Sequence, residues 1–178
     1  MKNVTLLVII LALAILAAGC AGQASNQASG TSNKPTVAYD KNGITFNYPA
    51  NWEVISPNSL NIQVTDFKYL AVLSNNDTDG RSIVEMVIAE TGQSYDDFVT
   101  SEKAYDQKSS GFAESSTTVD GVPAVEYTTG GSSDQRKSVN IYFEKGGKTY
   151  YLALADDTKN FDQDKADFDT MLNSLHVE

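Results

Sequence analysis

The chain has 178 residues, with 13 Lys+Arg against 23 Asp+Glu and a single cysteine. That length suits one domain with one sizeable core plus extras. A formal charge of −10 disfavours nucleic acid and anionic head groups as partners, and a lone cysteine excludes an intramolecular disulfide.

In chain order, Lys2 is a minimal positive n-region and Leu6 to Ala18 is an uninterrupted apolar run of 13 residues. That is signal-peptide length, short of the roughly 20 residues a membrane span needs. The run ends in Leu16-Ala17-Ala18-Gly19-Cys20, which resembles a lipoprotein lipobox, with Ala17 where a larger aliphatic is usual. The competing reading is a plain secretory signal with an incidental cysteine. Lipidation is favoured because Cys20 is the only cysteine and stands at the expected cleavage point. Cleavage removes Lys2 from the 13 cations and none of the 23 acids, so the charge moves from −10 to −11. The anchor is then the lipid on Cys20, and the expected location is the extracytoplasmic face of the cell membrane.

Ala21 to Asn33 carries no charge and no large apolar residue, the composition of a flexible tether with a reach of roughly 20 Å. The expected organisation is therefore a signal peptide over 1–19, a lipidated cysteine and tether over 20–34, and a folded domain over 35–178. Val37 to Tyr39 reads as a short strand and Asp40 to Gly43 as a turn. Ile44, Phe46 and Tyr48 alternate with Thr45 and Asn47, a strand with one buried face that ends at Pro49. Trp52 and Val54 begin a second short strand, and the indole is large enough to anchor a core. Pro57 to Asp66 reads as loop, with one strand around Ile62–Val64.

Phe67 to Leu73 and Ile83 to Ala89 are apolar at nearly every position, which suits strands covered on both faces. Ser74 to Arg81 between them reads as a polar hairpin loop. Ser94 is a good N-cap with Asp97 at the capping-box position, starting a helix whose buried stripe is expected to be Tyr95, Phe98, Val99 and Tyr105. Ser116–Val119 and Val122–Thr129 pair about Asp120-Gly121. Val139, Ile141 and Phe143 alternate up to Lys145-Gly146-Gly147-Lys148, and Tyr150, Leu152 and Leu154 alternate back. Asn160 to Leu175 is a helix with Phe161, Phe168, Met171, Leu172 and Leu175 on one face, and His176-Val177-Glu178 extends beyond it. Hairpins plus two apolar strands predict an α+β domain, an antiparallel sheet flanked by helices.

Phe46-Asn47-Tyr48-Pro49-Ala50-Asn51-Trp52 resembles the aromatic-x-Tyr-Pro-x-x-Trp signature of the PsbP-like family. That family is named for an extrinsic subunit of photosystem II and shares its fold with the Mog-type Ran-binding proteins. Asp120-Gly121-Val122-Pro123-Ala124 and the helix ending in Ser174-Leu175-His176-Val177 echo it more weakly. The resemblance covers about residues 37–178 and implies an α/β/α sandwich. It implies no particular activity, because the shared residues are structural in kind.

Candidate sites are few. His176 is the only histidine and lies beside the C-terminus, so a nucleophile–base–orienter set has one poorly placed base. The carboxylates are expected in helix first turns and loops, as caps and solvated charges. Lys145-Gly146-Gly147-Lys148 is a turn and not a phosphate loop, since no helix follows it. Asn75-x-Asp77-x-Asp79-Gly80 matches half of a calcium-loop spacing, but Met86 stands where the bidentate Glu belongs. It is a weak metal candidate against a plain Asn/Asp/Gly turn, and neither a metal nor a cofactor is expected. Asn76-Asp77-Thr78 is an N-glycosylation acceptor in a glycosylating host. Tyr142 and Tyr151 fall on the second face of their hairpin, either under a helix or lining a ligand groove.

Two functions from different classes follow. The first is a membrane-anchored, non-catalytic module that binds a protein or small ligand. The second is an exported hydrolase using a carboxylate pair.

Overall fold

The computed structural model describes residues 34–57, 66–75, 77, 82–131 and 133–178. The expected signal segment, Cys20, the expected tether over 21–33, the strand expected around Ile62–Val64, and Asn76, Asp79 and Arg81 lie outside these residues. The elements in chain order are β1 (Thr36–Lys41), β2 (Ile44–Pro49), β3 (Trp52–Val54), β4 (Phe67–Asn75), β5 (Ile83–Ala89) and α1 (Tyr95–Asp106). Then come β6 (Ala113–Val119), β7 (Val122–Thr129), β8 (Arg136–Lys145), β9 (Lys148–Asp157), α2 (Phe161–Ser174) and β10 (His176–Val177). The domain is mostly antiparallel β-sheet with two helices. Among the described residues no helix is long and apolar enough to cross a membrane.

The strands divide into two sheets, ordered β1-β2-β10 and β3-β4-β5-β9-β8-β7-β6. Pro49 is the divide. β2 pairs with β1 and β10, whereas Trp52, three residues on, pairs with Asn75 of β4. The proline ring removes a ladder donor, and Ala50 N–H returns to Pro35 O at 2.9 Å before the chain crosses to the second sheet. The strand–turn–strand read around Pro49 therefore joins two sheets instead of forming a hairpin.

Three tight turns follow from their residues. Asn42-Gly43, Asp120-Gly121 and Gly146-Gly147 all have positive φ at both positions, between 48° and 77°. That is the two-residue hairpin geometry that Asn, Asp and Gly tolerate at least cost. The β8–β9 hairpin keeps full register from Arg136↔Asp157 to Lys145↔Lys148.

Period-two alternation sorts the large sheet into two faces. Val139, Ile141 and Phe143 of β8, with Tyr150, Leu152 and Leu154 of β9, join the main core with Trp52, Phe46, Phe168 and Met171. The opposite parity, Tyr127 of β7 and Tyr142 of β8, packs with Phe98 of α1. So α2 covers one face and α1 part of the other. The apolar runs of β4 and β5 are explained by this two-sided burial. The C-terminal strand is clamped by Asp120, which accepts from Lys145 Nζ at 2.5 Å and from Val177 N–H at 2.8 Å.

Three expectations are corrected. Ser74 and Asn75 are not loop; they continue β4 and are buried. Tyr105 is not in the buried stripe of α1 but 71% exposed. The inward row is Phe98, Glu102 and Asp106, successive i, i+4 positions on one helix face. The carboxylates are not all caps and solvated charges either: Asp106, Asp156, Asp164 and Asp167 are buried.

Candidate functional site

The second face of the large sheet is only partly roofed by α1, and a cleft of about 430 Å³ opens between them. Its floor is built by the ladder. Glu85, Ala153 and Asn140 form one cross-strand row of β5, β9 and β8, and Ile83, Ala155 and Ser138 form the next. Two alanines in the middle strand leave the volume that larger side chains occupy in neighbouring rows. Tyr151 closes one end, and Glu102, Tyr105 and Asp106 of α1 form a wall. Volume and mixed lining fall within the range of small-molecule pockets.

The polar groups are interlinked. Tyr151 OH donates to Asn140 Oδ1 at 3.2 Å, and Asn140 Nδ2 donates to Asp106 Oδ2 at 2.9 Å. Tyr142 OH donates toward Glu102 Oε2 at 3.4 Å, and Tyr95 OH donates to Tyr142 O at 3.1 Å, tying the helix to the sheet. Burial raises the carboxyl pKa of Glu85. Burial, then the adjacent Asp106 charge, raises that of Glu102 against the opposing Tyr142 hydrogen bond. Burial raises Asp106 while its Asn140 bond pulls it down. Desolvation disfavours the charged form in all three. The tyrosines respond alike: burial with neighbouring acidic groups pushes Tyr127 up to about 12 and Tyr142 and Tyr151 higher still.

The structure brings Tyr142 and Tyr151 together as direct cross-strand partners, rings stacked with centroids 5.2 Å apart. Their environments then diverge. Tyr142 is buried against Phe98 and Tyr127, while Tyr151 lines the cleft. Glu85, Glu102, Asp106 and Asn140 went unrecognised. The available signal was the i, i+4 spacing of Phe98, Glu102 and Asp106.

A second polar cluster sits on the other face, at the start of α2. Ser82 Oγ donates to Asp156 Oδ1 at 2.5 Å, Asn75 Nδ2 to Asp164 Oδ1 at 2.8 Å, and Trp52 Nε1 to Asp167 Oδ2 at 2.9 Å. Lys34 Nζ reaches Asp167 Oδ2 at 2.8 Å. Asp156 Oδ2 and Asp164 Oδ2 are buried without a hydrogen-bond partner. Burial raises the Asp164 pKa, the neighbouring Ser82 hydroxyl and the Asn75 amide pull it down, and the Asp156 and Asp167 charges push it further up. Asn75, Ser82, Asp156, Asp164 and Asp167 of this cluster are all buried.

Of the calcium-like loop, Asn75 and Asp77 are among the described residues. Asn75 is fully buried, and its Oδ1 accepts from Asn51 Nδ2 at 3.1 Å and from Asp77 N–H at 2.9 Å. Its side chain thus closes an Asx-type turn. Among the described residues no group of three or more His, Cys, Asp or Glu is placed to hold a metal ion. His176 is exposed and 3.1 Å from Asp120.

The family model described as PsbP-like protein matches residues 4–177. A search of curated proteins finds no match. Among solved structures, cyanobacterial PsbP (CyanoP) from Synechocystis sp. PCC 6803 is similar at 18% identity and a TM-score of 0.52, covering 84% of this chain and 96% of that one. LpqN of Mycobacterium tuberculosis, described as involved in cell envelope biogenesis, is similar at 9% identity and a TM-score of 0.51, covering 83% and 87%. At these identities the likeness is one of fold.

Proposed function

The chain belongs to the PsbP-like family, and from that premise we propose that it is a lipid-anchored, extracytoplasmic binding module whose ligand enters the cleft beneath α1. In this reading the domain is an α/β/α sandwich held clear of the membrane by the tether after Cys20. The observation that carries it is the cleft itself: a volume of about 430 Å³ floored by Ala153 and Ala155 and walled by Tyr151 and α1. Core strands elsewhere fill such positions with large side chains, so two alanines side by side in the middle of a seven-stranded sheet reserve space.

The hydrolase reading draws on the carboxylates of the same cleft. Glu102 and Asp106 stand one turn apart on a single helix and form one wall, while Glu85 lies in the floor. Glu102 and Asp106 are the pair weighed for acid–base work. Each already accepts a hydrogen bond from the sheet, from Tyr142 and Asn140. This favours the binding module. Turnover of a chromogenic glycoside or ester that vanishes in Glu102→Gln would reverse the preference.

The test of the site is a crystal or nuclear magnetic resonance screen of the full chain with small fragments of mixed charge. Fragments are expected to collect in the cleft and to be excluded by Ala153→Leu. Fragments clustering elsewhere, unaffected by that substitution, would refute it.

A further inference from the structure

We propose that the cleft recognises an organic ammonium group, an amine carried on a small apolar body. The inference rests on the binding reading above and adds the chemistry of the ligand. Three carboxylates from two elements, Glu85 of the sheet and Glu102 and Asp106 of α1, line one cavity. Among the described lining residues the single cation is Arg136, an exposed residue that pairs across the ladder with Asp157. The described lining therefore carries three carboxylates against one guanidinium.

Each carboxylate is half-buried or buried, so each has given up water without gaining a full counter-charge. Protein donors compensate only in part. Asp106 has one amide donor, Asn140, and Glu102 has one long contact from Tyr142. An ammonium supplies three N–H donors and a unit charge to acceptors that the protein's own donors leave partly unfilled. An anionic ligand would meet three like charges, and a neutral polyol would leave them uncompensated.

The aromatics point the same way. Tyr105 stands largely exposed on the wall next to Asp106, while the Tyr151 ring, stacked on Tyr142 and packed near Phe67, borders the floor. Tyrosine faces attract organic cations, which gives an exposed aromatic on an acidic helix a use at a cleft mouth. Ile83, Ala153 and Ala155 add apolar floor for the body that carries the amine.

The test uses the full chain in detergent micelles, titrated calorimetrically with 1,4-diaminobutane, with 1,4-butanediol and with succinate. Saturable binding of the diamine alone is expected, weakened about tenfold in Glu102→Gln and in Asp106→Asn, the cost of one charge-assisted hydrogen bond. Ala153→Leu, which keeps every charge and fills the floor, should weaken it comparably while unchanged circular dichroism confirms folding. Binding of the diol or succinate in preference, still blocked by Ala153→Leu, overturns the ligand class and leaves the site standing. Diamine binding that ignores all three substitutions reports surface ion pairing and overturns the inference. No binding of any probe at millimolar concentration, together with fragments that avoid the cleft, removes both ligand and site.

Discussion

Replacing a buried acid should make this domain more stable. Asp164 lies in the first turn of α2, fully buried; Oδ1 accepts from Asn75 Nδ2 at 2.8 Å, and Oδ2 has no partner. Asp164→Asn keeps the first acceptor and replaces the orphaned oxygen with an amide, in a neighbourhood that contains the equally unpartnered Asp156 Oδ2. Relieving one unsatisfied buried oxygen is worth roughly 1–3 kcal/mol. Losing a negative charge in a first helical turn costs about 0.3–1 kcal/mol. The expected net gain at pH 7 is about 1–2 kcal/mol, at roughly 2–4 °C of melting temperature per kcal/mol for a domain of this size. The pH dependence carries the sign. Burial raises the folded pKa of Asp164, so its stabilising contribution is complete below the unfolded value of about 4 and is lost as pH rises through the folded value. The asparagine has no such loss, so its advantage should be largest at pH 7 and shrink toward pH 4. Thermal unfolding of the full-length wild type and variant at pH 4, 5.5 and 7, followed by circular dichroism, measures this. A variant less stable at pH 7, or an advantage that grows on acidification, would refute the reasoning.

Trp52→Ala should cost roughly 3–5 kcal/mol, because the indole is 3% exposed and its Nε1–H holds buried Asp167; a loss under about 1 kcal/mol in chemical denaturation would contradict that packing. Cys20→Ser should move the protein from membranes to the medium or an uncleaved precursor pool, and unchanged fractionation with an unmodified N-terminus would remove the lipid anchor. Millimolar calcium should leave the melting temperature of the full chain unchanged, since Asn75 Oδ1 is already taken by Asn51 and Asp77; a saturable rise abolished by Asp77→Ala would establish a site there.

Most strands were readable from the sequence because each alternates or is continuously apolar and ends at a Gly-, Asn- or Pro-bearing turn. The Asp120-Gly121 and Gly146-Gly147 hairpins and the α2 stripe are where the pattern placed them. The split at Pro49 was not readable, because alternation says which residues share a face and not which strand comes next in space. The aromatic side chain of Tyr105 suggests an inward position, whereas the helix turns Glu102 and Asp106 inward and compensates them with Tyr142 and Asn140 from the sheet. Asp164 and Asp167 escaped notice for the same reason. They sit at core positions of α2 between Phe161 and Phe168, and their partners lie 89 and 115 residues away in sequence, at Asn75 and Trp52. The cleft depends on Ala153 and Ala155, whose smallness signals space only once the strands beside them are known.

Three carboxylates sharing one desolvated cleft carry the proposed ligand chemistry. Carboxyl-carbon nuclear magnetic resonance of the full chain, titrated in pH with and without 1,4-diaminobutane, reads that directly. Glu85, Glu102 and Asp106 should titrate above the ordinary carboxylate range near about 4, since burial raises all three. Asp120 should titrate below it: Lys145, the Val177 N–H and His176 together outweigh its own desolvation. Saturating diamine should bring the three cleft midpoints down together and leave Asp120 in place, because a bound cation favours the ionised form. Ordinary midpoints for Glu85, Glu102 and Asp106, indifferent to the diamine, would contradict the account.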